Sequence, residues 1–339
     1  MLSFANHPIH IFNGFLNPHG GSELEALALY ALLEAKAEMH LWACSSRASP
    51  ALLSQYPIRR ISLASVVSLA RRQAPDGGTY IFVGAHWRNK LWPYLIQKPS
   101  RLVYVYNTFH PKVVALTSQM PTLLAWPRTE YVVISPFQQA LANIPGEVAV
   151  HSSPIDIDRF TASPVISERS LDAPLVIGRM SRDTPDKHDP RDMALYRELA
   201  AQGYTIQLQG ATCIASSLAD TPAIRIFPEG QLAAEMFLRG LDIFYYRSGT
   251  HVETFGRVVF EAMACGLPVV CHAHGGYADW IRHGENGFLF DTTEEACAIL
   301  QLLAQDAILR KSVGRDARAT VEAMHAPEIM QERAAFYLR

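Results

Sequence analysis

"DIFYYRSGTHVETFGRVVFEAMACGLPVVCH", residues 242–272, sets two apolar runs, "DIFYYR" and "LPVVCH", on either side of "FGRVVFEAMACG". Apolar residues fall on nearly every side of that central stretch and Gly266 and Pro268 close it, so it reads as a largely buried helix that passes at once into a strand. A strand, a covering helix and a second strand within about 30 residues make the repeating unit of a parallel sheet.

Working outward, runs of the same kind recur with helical stretches between them. "IHIFNG", "MHLWAC", "TYIFVG", "RLVYVYN" and "YVVIS" come first; "PLVIG", "YTIQLQG", "IRIFP" and "NGFLF" join the pair above. This alternation predicts α/β architecture with parallel sheets covered on both faces. Between the two series lies "HSSPIDIDRFTASPVISERSLDAP", rich in Ser, Pro and Asp and weak in periodicity, which reads as an interdomain linker. The expected division is an N-terminal domain over 1–162, a C-terminal domain over 163–322 and a terminal helix over 323–339, the last packing back on the first domain. No sequence repeat marks a solenoid. Ligands of doubly wound sheets sit beyond the carboxyl ends of the strands, so the residues following each run are the ones to inspect.

The 339 residues suffice for two such domains, and 49% hydrophobic with 18% charged residues is a globular composition. No apolar run approaches the roughly 20 residues of a membrane span. The N-terminus "MLSFANHPIHIF" lacks a basic region followed by an apolar one, which argues against export and for a cytoplasmic chain. Five cysteines without a CxxC pair read as buried small hydrophobes rather than a zinc site or disulfide framework. Of the 30 Lys and Arg and 32 Asp and Glu, residues 1–165 hold 13 and 9, leaving 17 and 23 for the rest. That basic bias, with Arg59-Arg60, Arg71-Arg72 and "HWRNKLW", fits a solvated face or a peripheral contact with an anionic membrane surface. No nucleic-acid partner is expected.

Glu261 lies in the greasy helix, where a lone carboxylate costs several kcal/mol unless something hydrogen-bonds it. Its partner is either an Arg of the same domain or two hydroxyls of a ligand. Glu253 precedes it by eight positions, about 12 Å along a helix. Glycosidase carboxyls stand only about 5 to 9.5 Å apart, so these two acids would hold different parts of one long ligand. Between them Thr254, Phe255, Gly256 and Arg257 open the helix, and unpaired amides there favour an anion. Hydroxyls, phosphate and hydroxyls together describe a sugar nucleotide.

This E-x7-E segment, with "GLPVV" and "GGYADWIRHGENGFLF" after it, resembles the donor-binding signature of retaining family-4 (group 1) nucleotide-sugar glycosyltransferases. The resemblance extends over most of the chain and implies the GT-B fold, two Rossmann-like domains facing across a cleft. It implies that Glu253 contacts the donor sugar and Glu261 the nucleotide ribose. "LVIGRMSRDTPDKHDP" is similar to the family's G-R...K-G segment, so Arg179 and Lys187 inherit the neutralisation of the donor diphosphate. His188 stands where the family carries Gly, and the altered spacing leaves Arg182 competing with Lys187. "NPHGGSELEALALYALL" resembles the N-terminal glycine loop, which places Gly20 and Gly21 beside the phosphates. His110, after "LVYVYN", matches the histidine near the donor sugar, and His86, after "YIFVGA", is a candidate for the acceptor side. Leu232 is the expected backbone contact of the base. Asp279 takes the place of a usual Glu, and Arg257 that of an apolar residue.

The resemblance implies transfer of a hexose-type sugar to a glycan, lipid-linked or small-molecule hydroxyl, with no cofactor and no metal, since two cations beside a diphosphate stabilise the leaving group. No side chain offers itself as a nucleophile. The catalytic set on this reading is His110, Glu253, Arg179 and Lys187. "DID" at Asp156 and the pair His272 and His274 are the metal-like patterns set aside, and Gly14 and Gly20 complete no G-x-G-x-x-G. A nucleotide-sugar epimerase of the same fold and a non-catalytic sugar-nucleotide-binding subunit are the alternatives.

Overall fold

The computed structural model describes residues 7–68, 73–84, 90–144, 147–162 and 174–339. Among the described residues thirteen strands form two sheets in which every named pairing is parallel. The first sheet contains β1 (Ile9–Asn13), β2 (Met39–Ala43), β3 (Ile58–Arg60), β4 (Thr79–Val83), β5 (Arg101–Tyr106), β6 (Thr129–Val133) and β7 (Val148–Val150) in the order β3-β2-β1-β4-β5-β6-β7. The second contains β8 (Val176–Met180), β9 (Thr205–Gln209), β10 (Ile224–Phe227), β11 (Ile243–Tyr246), β12 (Val269–His272) and β13 (Phe288–Phe290) in the order β10-β9-β8-β11-β12-β13.

Strands β1, β4 and β8 are buried along their whole length, which is why they read as unbroken apolar runs rather than alternating ones. The first core is aromatic: Phe12 stacks on Phe82 at 4.5 Å between centroids and on Trp92 at 5.4 Å. Such rings contribute through buried area and through the preference for offset or edgewise contact. The second core, around Ile177, Leu199, Ile206, Leu208 and Val270, is largely aliphatic with Tyr196 and Tyr245 among it. Four cysteines are buried; Cys213 is exposed, against the expectation for all five, because it lies in a short 3-10 segment rather than in a strand or core helix.

The chain divides into two compact units, Met1–Pro154 with Pro327–Arg339, and Ile155–Ala326. Residues 155–162, expected in the linker, are anchored to the second unit. Arg318 Nη1 donates to the carbonyls of Ile157 (3.1 Å), Ala264 (2.7 Å) and Phe160, while Arg239 Nε donates to that of Thr161 (3.1 Å). The helix Pro327–Leu338 returns to the first unit, where Arg101 pairs with Glu130 through two 2.8 Å hydrogen bonds and donates to the carbonyl of Phe336 at 2.8 Å. Arg71-Arg72 and most of "HWRNKLW" lie outside the described residues. Among the described residues no helix is long and apolar enough to cross a membrane.

Chain order reverses direction at two places, between β1 and β4 in one sheet and between β8 and β11 in the other. At such a switch the loops leaving the two central strands diverge and open a crevice. The loops after β8 and β11 carry Lys187 and Glu253.

Candidate functional site

Lys187 Nζ donates to Glu253 Oε2 at 2.6 Å, and the Tyr246 hydroxyl at the end of β11 donates to the same oxygen at 2.7 Å. Both charged side chains are largely buried, 8% exposed for Lys187 and 12% for Glu253, so the pair is held in low dielectric where its attraction is strong. Burial by itself pushes the Glu253 carboxyl upward; Lys187, followed by His251 and the Tyr246 hydroxyl, outweighs it and brings the group down to about 2. Glu253 is therefore an anion at any physiological pH. Arg182, the rival of Lys187 in the sequence, is exposed.

Behind this pair lies Arg179, 1% exposed. Its guanidinium stands 5.2 Å over the Tyr246 ring, donates to the Lys187 carbonyl through Nη2 and to His188 Nδ1 at 3.2 Å, and lies 3.9 Å from Asp192 Oδ2. Asp192, fully buried at the head of the helix Asp192–Ala201, also accepts from Arg247 Nε (2.8 Å) and Nη2 and from the Tyr245 hydroxyl (2.7 Å). Two buried arginines thus share one buried carboxylate. Removing Asp192 would leave the buried Arg179 without its carboxylate, typically at a cost of about 3–5 kcal/mol.

The helix Arg257–Ala264 begins at Gly256, whose φ of 84° is the left-handed conformation that glycine adopts without a Cβ penalty. A Cβ there would also lie 2.3 Å from Tyr277 Cδ1, so no other residue fits. Tyr277, fully buried, packs edgewise on Tyr246 at 5.8 Å and joins the helix entry to the Glu253 loop. The first turn carries no acidic side chain. Glu261 has the intradomain cation that was one of its two expected partners: Arg257 Nε lies 3.4 Å from Glu261 Oε1, one helical turn away. That contact is an ion pair without hydrogen-bond geometry, since Arg257 Nε and Nη1 have no hydrogen-bond partner among the described residues. Burial pushes the Glu261 carboxyl upward and Arg257, then Arg159, offset part of the rise.

The remaining candidates are more scattered. Gly20 is buried at the start of the helix Gly21–Leu33, where the carboxylate of Glu23 fills the space in front of it: a Cβ on Gly20 would meet Glu23 Oε2 at 2.2 Å, and Glu23 Oε1 accepts from the Leu16 amide at 3.0 Å. Gly21 is exposed with nothing within 4 Å of a Cβ position. His110 is exposed at the N-cap of the helix Pro111–Leu123, its amide donating to the Tyr106 hydroxyl at 2.6 Å. His86 lies outside the described residues. Thr254 and Phe255 are buried, Phe255 stacking on Phe260 at 4.3 Å. The backbone of Leu232 is engaged: its amide donates to Gln209 Oε1 (3.0 Å) and its carbonyl accepts from Gln209 Nε2 (3.1 Å), which leaves only the carbonyl's second lone pair for a base.

Sequence reading missed Tyr246, Asp192, Arg247 and Gln209. Arg247 had a signal, a charge directly after the apolar run "DIFYY"; Gln209 had one in "IQLQ", a polar residue closing a buried strand. Asp192 had none, because its partners are distant in sequence.

Two parallel α/β sheets, each with its own switch point, give the two-domain GT-B fold. Residues 228–320, about a quarter of the chain, match the family model for glycosyl transferases group 1. It is 38% identical over 89 residues to N-acetyl-alpha-D-glucosaminyl L-malate synthase of Bacillus anthracis, covering 25% of this chain and 23% of that one. It is 28% identical over 190 residues to the GDP-mannose-dependent alpha-mannosyltransferase of Mycobacterium tuberculosis, covering 54% and 49%. The matches thus span half or less of these relatives' lengths. Similar solved structures are Anabaena HepE in complex with UDP-glucose (TM-score 0.72, 19% identity, 98% of this chain and 99% of that one) and WaaG, a glycosyltransferase involved in lipopolysaccharide biosynthesis (TM-score 0.67, 14% identity, 97% and 99%).

Proposed function

We propose that the protein is a retaining hexosyltransferase that moves a sugar from a nucleotide-diphosphate donor to a hydroxyl of a glycan, lipid-linked or small-molecule acceptor, without a metal ion. The observation that carries this reading is the buried Lys187–Glu253 pair at the β8/β11 switch, inside and beside the segment that matches the family. The relatives' names support a nucleotide-sugar donor, and HepE holds UDP-glucose.

On this reading Lys187, with the buried Arg179 behind it and the amides of Phe255, Gly256 and Arg257, faces the diphosphate. Glu253 holds sugar hydroxyls and Glu261 those of the ribose; the loose Arg257 contact leaves its oxygens able to accept them. The bond from the anomeric carbon to the phosphate oxygen breaks, the acceptor oxygen bonds to that carbon on the same face, and the acceptor proton passes to the departing phosphate oxygen. The charge that develops on the diphosphate is met by fixed cations and amides, which need no reorganisation at that moment. His110 positions the sugar.

A thermal-shift panel of UDP, GDP, ADP and dTDP tests the donor site. One of the four at a hundredfold excess over its dissociation constant should add about 2.7 kcal/mol, roughly 5–10 °C for a domain of this size. Transfer of labelled sugar to an acceptor, with the anomeric configuration read by NMR, tests the reaction, which is expected to survive chelation of divalent metal. No shift with any of the four would overturn the reading.

A further inference from the structure

We propose that His188 is a positioning residue: by accepting from Arg179 and donating to the Gly210 carbonyl, it ties the loop that presents Lys187 to the ends of β8 and β9 and so sets Lys187 beside Glu253. The inference rests on the donor-site reading above.

The tautomer follows from the partners. His188 Nε2 lies 3.0 Å from the carbonyl oxygen of Gly210, which can only accept, so Nε2 carries the proton. A neutral ring then offers Nδ1 as an acceptor, and the group facing it at 3.2 Å is Arg179 Nη1, which can only donate. Burial, then the neighbouring Arg179, holds the ring down to about 4, which keeps it in this neutral form at ordinary pH. The same guanidinium donates through Nη2 to the Lys187 carbonyl, so one buried arginine grips both the peptide of Lys187 and the ring that follows it.

The loop is gripped from its other side as well. The His251 amide donates to the Asp186 carbonyl at 3.0 Å, and a Cβ on Gly249 would stand 2.5 Å from the His188 oxygen and 2.9 Å from that of Asp186. The loop leaving β11 therefore lies directly on the carbonyls of the Lys187 loop. With main-chain contacts on one side and the imidazole on the other, the Lys187 stem has little freedom, and its 2.6 Å contact with Glu253 follows. A glycine at position 188, as the resembling family carries, has no side chain to make either bond.

The test uses the full chain and titrations with UDP, GDP, ADP and dTDP on wild type, His188→Leu, His188→Asn, Lys187→Ala and the Lys187→Ala/His188→Leu double variant, together with amide hydrogen exchange over residues 183–190. Leucine keeps the volume and removes both bonds; asparagine keeps an acceptor near Nδ1. His188→Leu should weaken the tightest nucleotide by at least about tenfold, the scale of one hydrogen bond to a charged group, and His188→Asn should recover most of that loss. Because the residue acts through Lys187, His188→Leu should add nothing in the Lys187→Ala background. Exchange should accelerate over 183–190 and not across the rest of the second unit. Wild-type binding and exchange in His188→Leu would overturn the proposal, as would a full additional loss on top of Lys187→Ala. If the wild type binds none of the four, the donor reading fails and exchange alone decides: acceleration supports the latch, no change overturns it. Should His188→Leu not fold, His188→Ala takes its place with the same expectations.

Discussion

Each sheet sends a strand into a helix led by glycine, and the two junctions differ in charge. At Gly20, ahead of Gly21–Leu33, the backbone is extended (φ −72°, ψ 131°) and the first turn holds the buried carboxylate of Glu23, which satisfies the Leu16 amide. At Gly256, ahead of Arg257–Ala264, the backbone is left-handed, the first turn has no acid, and Arg257 stands at its start. A helix N-terminus favours an anion in either case. The first has been filled by the chain's own carboxylate; the second has no acid of its own in the first turn. Glycine before a helix thus marks a close approach of backbone, and the neighbouring side chains decide what approaches.

The comparison breaks most sharply at Lys187. Lys187→Ala should lower kcat/KM for sugar transfer by about 10²- to 10³-fold, the usual effect of losing one fixed group that meets developing negative charge. Steady-state kinetics with labelled donor checks this. Next in size is an acid effect on stability, followed as urea midpoints against pH. The His188 imidazole is depressed to about 4 in the folded chain, as are those of His10 and His151, so below the ordinary 6.5 the unfolded chain binds these protons first; stability is expected to fall as pH drops from 6.5 to 4, and His188→Asn should reduce that slope by the share of one histidine. Glu253 acts lower: its carboxyl, at about 2, contributes stability above 4.5 that disappears as pH falls from 4.5 towards 2, and Glu253→Gln should remove that limb.

Gly256→Ala forces a Cβ into a left-handed residue and against Tyr277, and a loss of at least about 1–2 kcal/mol with weaker nucleotide binding is expected from thermal melts and titration. Glu23→Ala leaves the Leu16 amide without its acceptor; about 1 kcal/mol should be lost, with nucleotide affinity unchanged if this junction is closed to phosphate. Smallest of all, Gly21→Ala meets nothing within 4 Å and should change stability by no more than about 0.5 kcal/mol. A large loss of nucleotide affinity in Gly21→Ala or Glu23→Ala would show that both junctions bind the donor and would erase the contrast.

Much of the architecture was legible before any coordinates. The buried central strands advertise themselves as continuous apolar runs, so the alternation of strand and helix and the two series were readable. Strands β3, "IRR", and β7, "VAV", were not, because each is three residues at a sheet edge and exists only through pairing with β2 or β6. The anchoring of 155–162 to the second unit was not readable, because low periodicity does not reveal that Arg318 and Arg239 collect its carbonyls. In the site, Glu253 and Glu261 stood out as acids within greasy sequence. Arg257 as a neighbour of Glu261 was visible in the four-residue spacing, although the sequence reading valued it for the helix entry. The choice between Lys187 and Arg182 was not readable, since a loop has no period.

Composition, apolar periodicity and glycine placement are local properties, and through them the sequence alone determined the sheets, the helix entries and which buried acids need partners. Which cation meets Glu253 and that Asp192 joins two buried arginines were decided by tertiary structure. Those pairings are electrostatic contacts between segments remote in the chain, and their energy depends on distance and on the exclusion of water, both of which arise only when the strands are laid side by side.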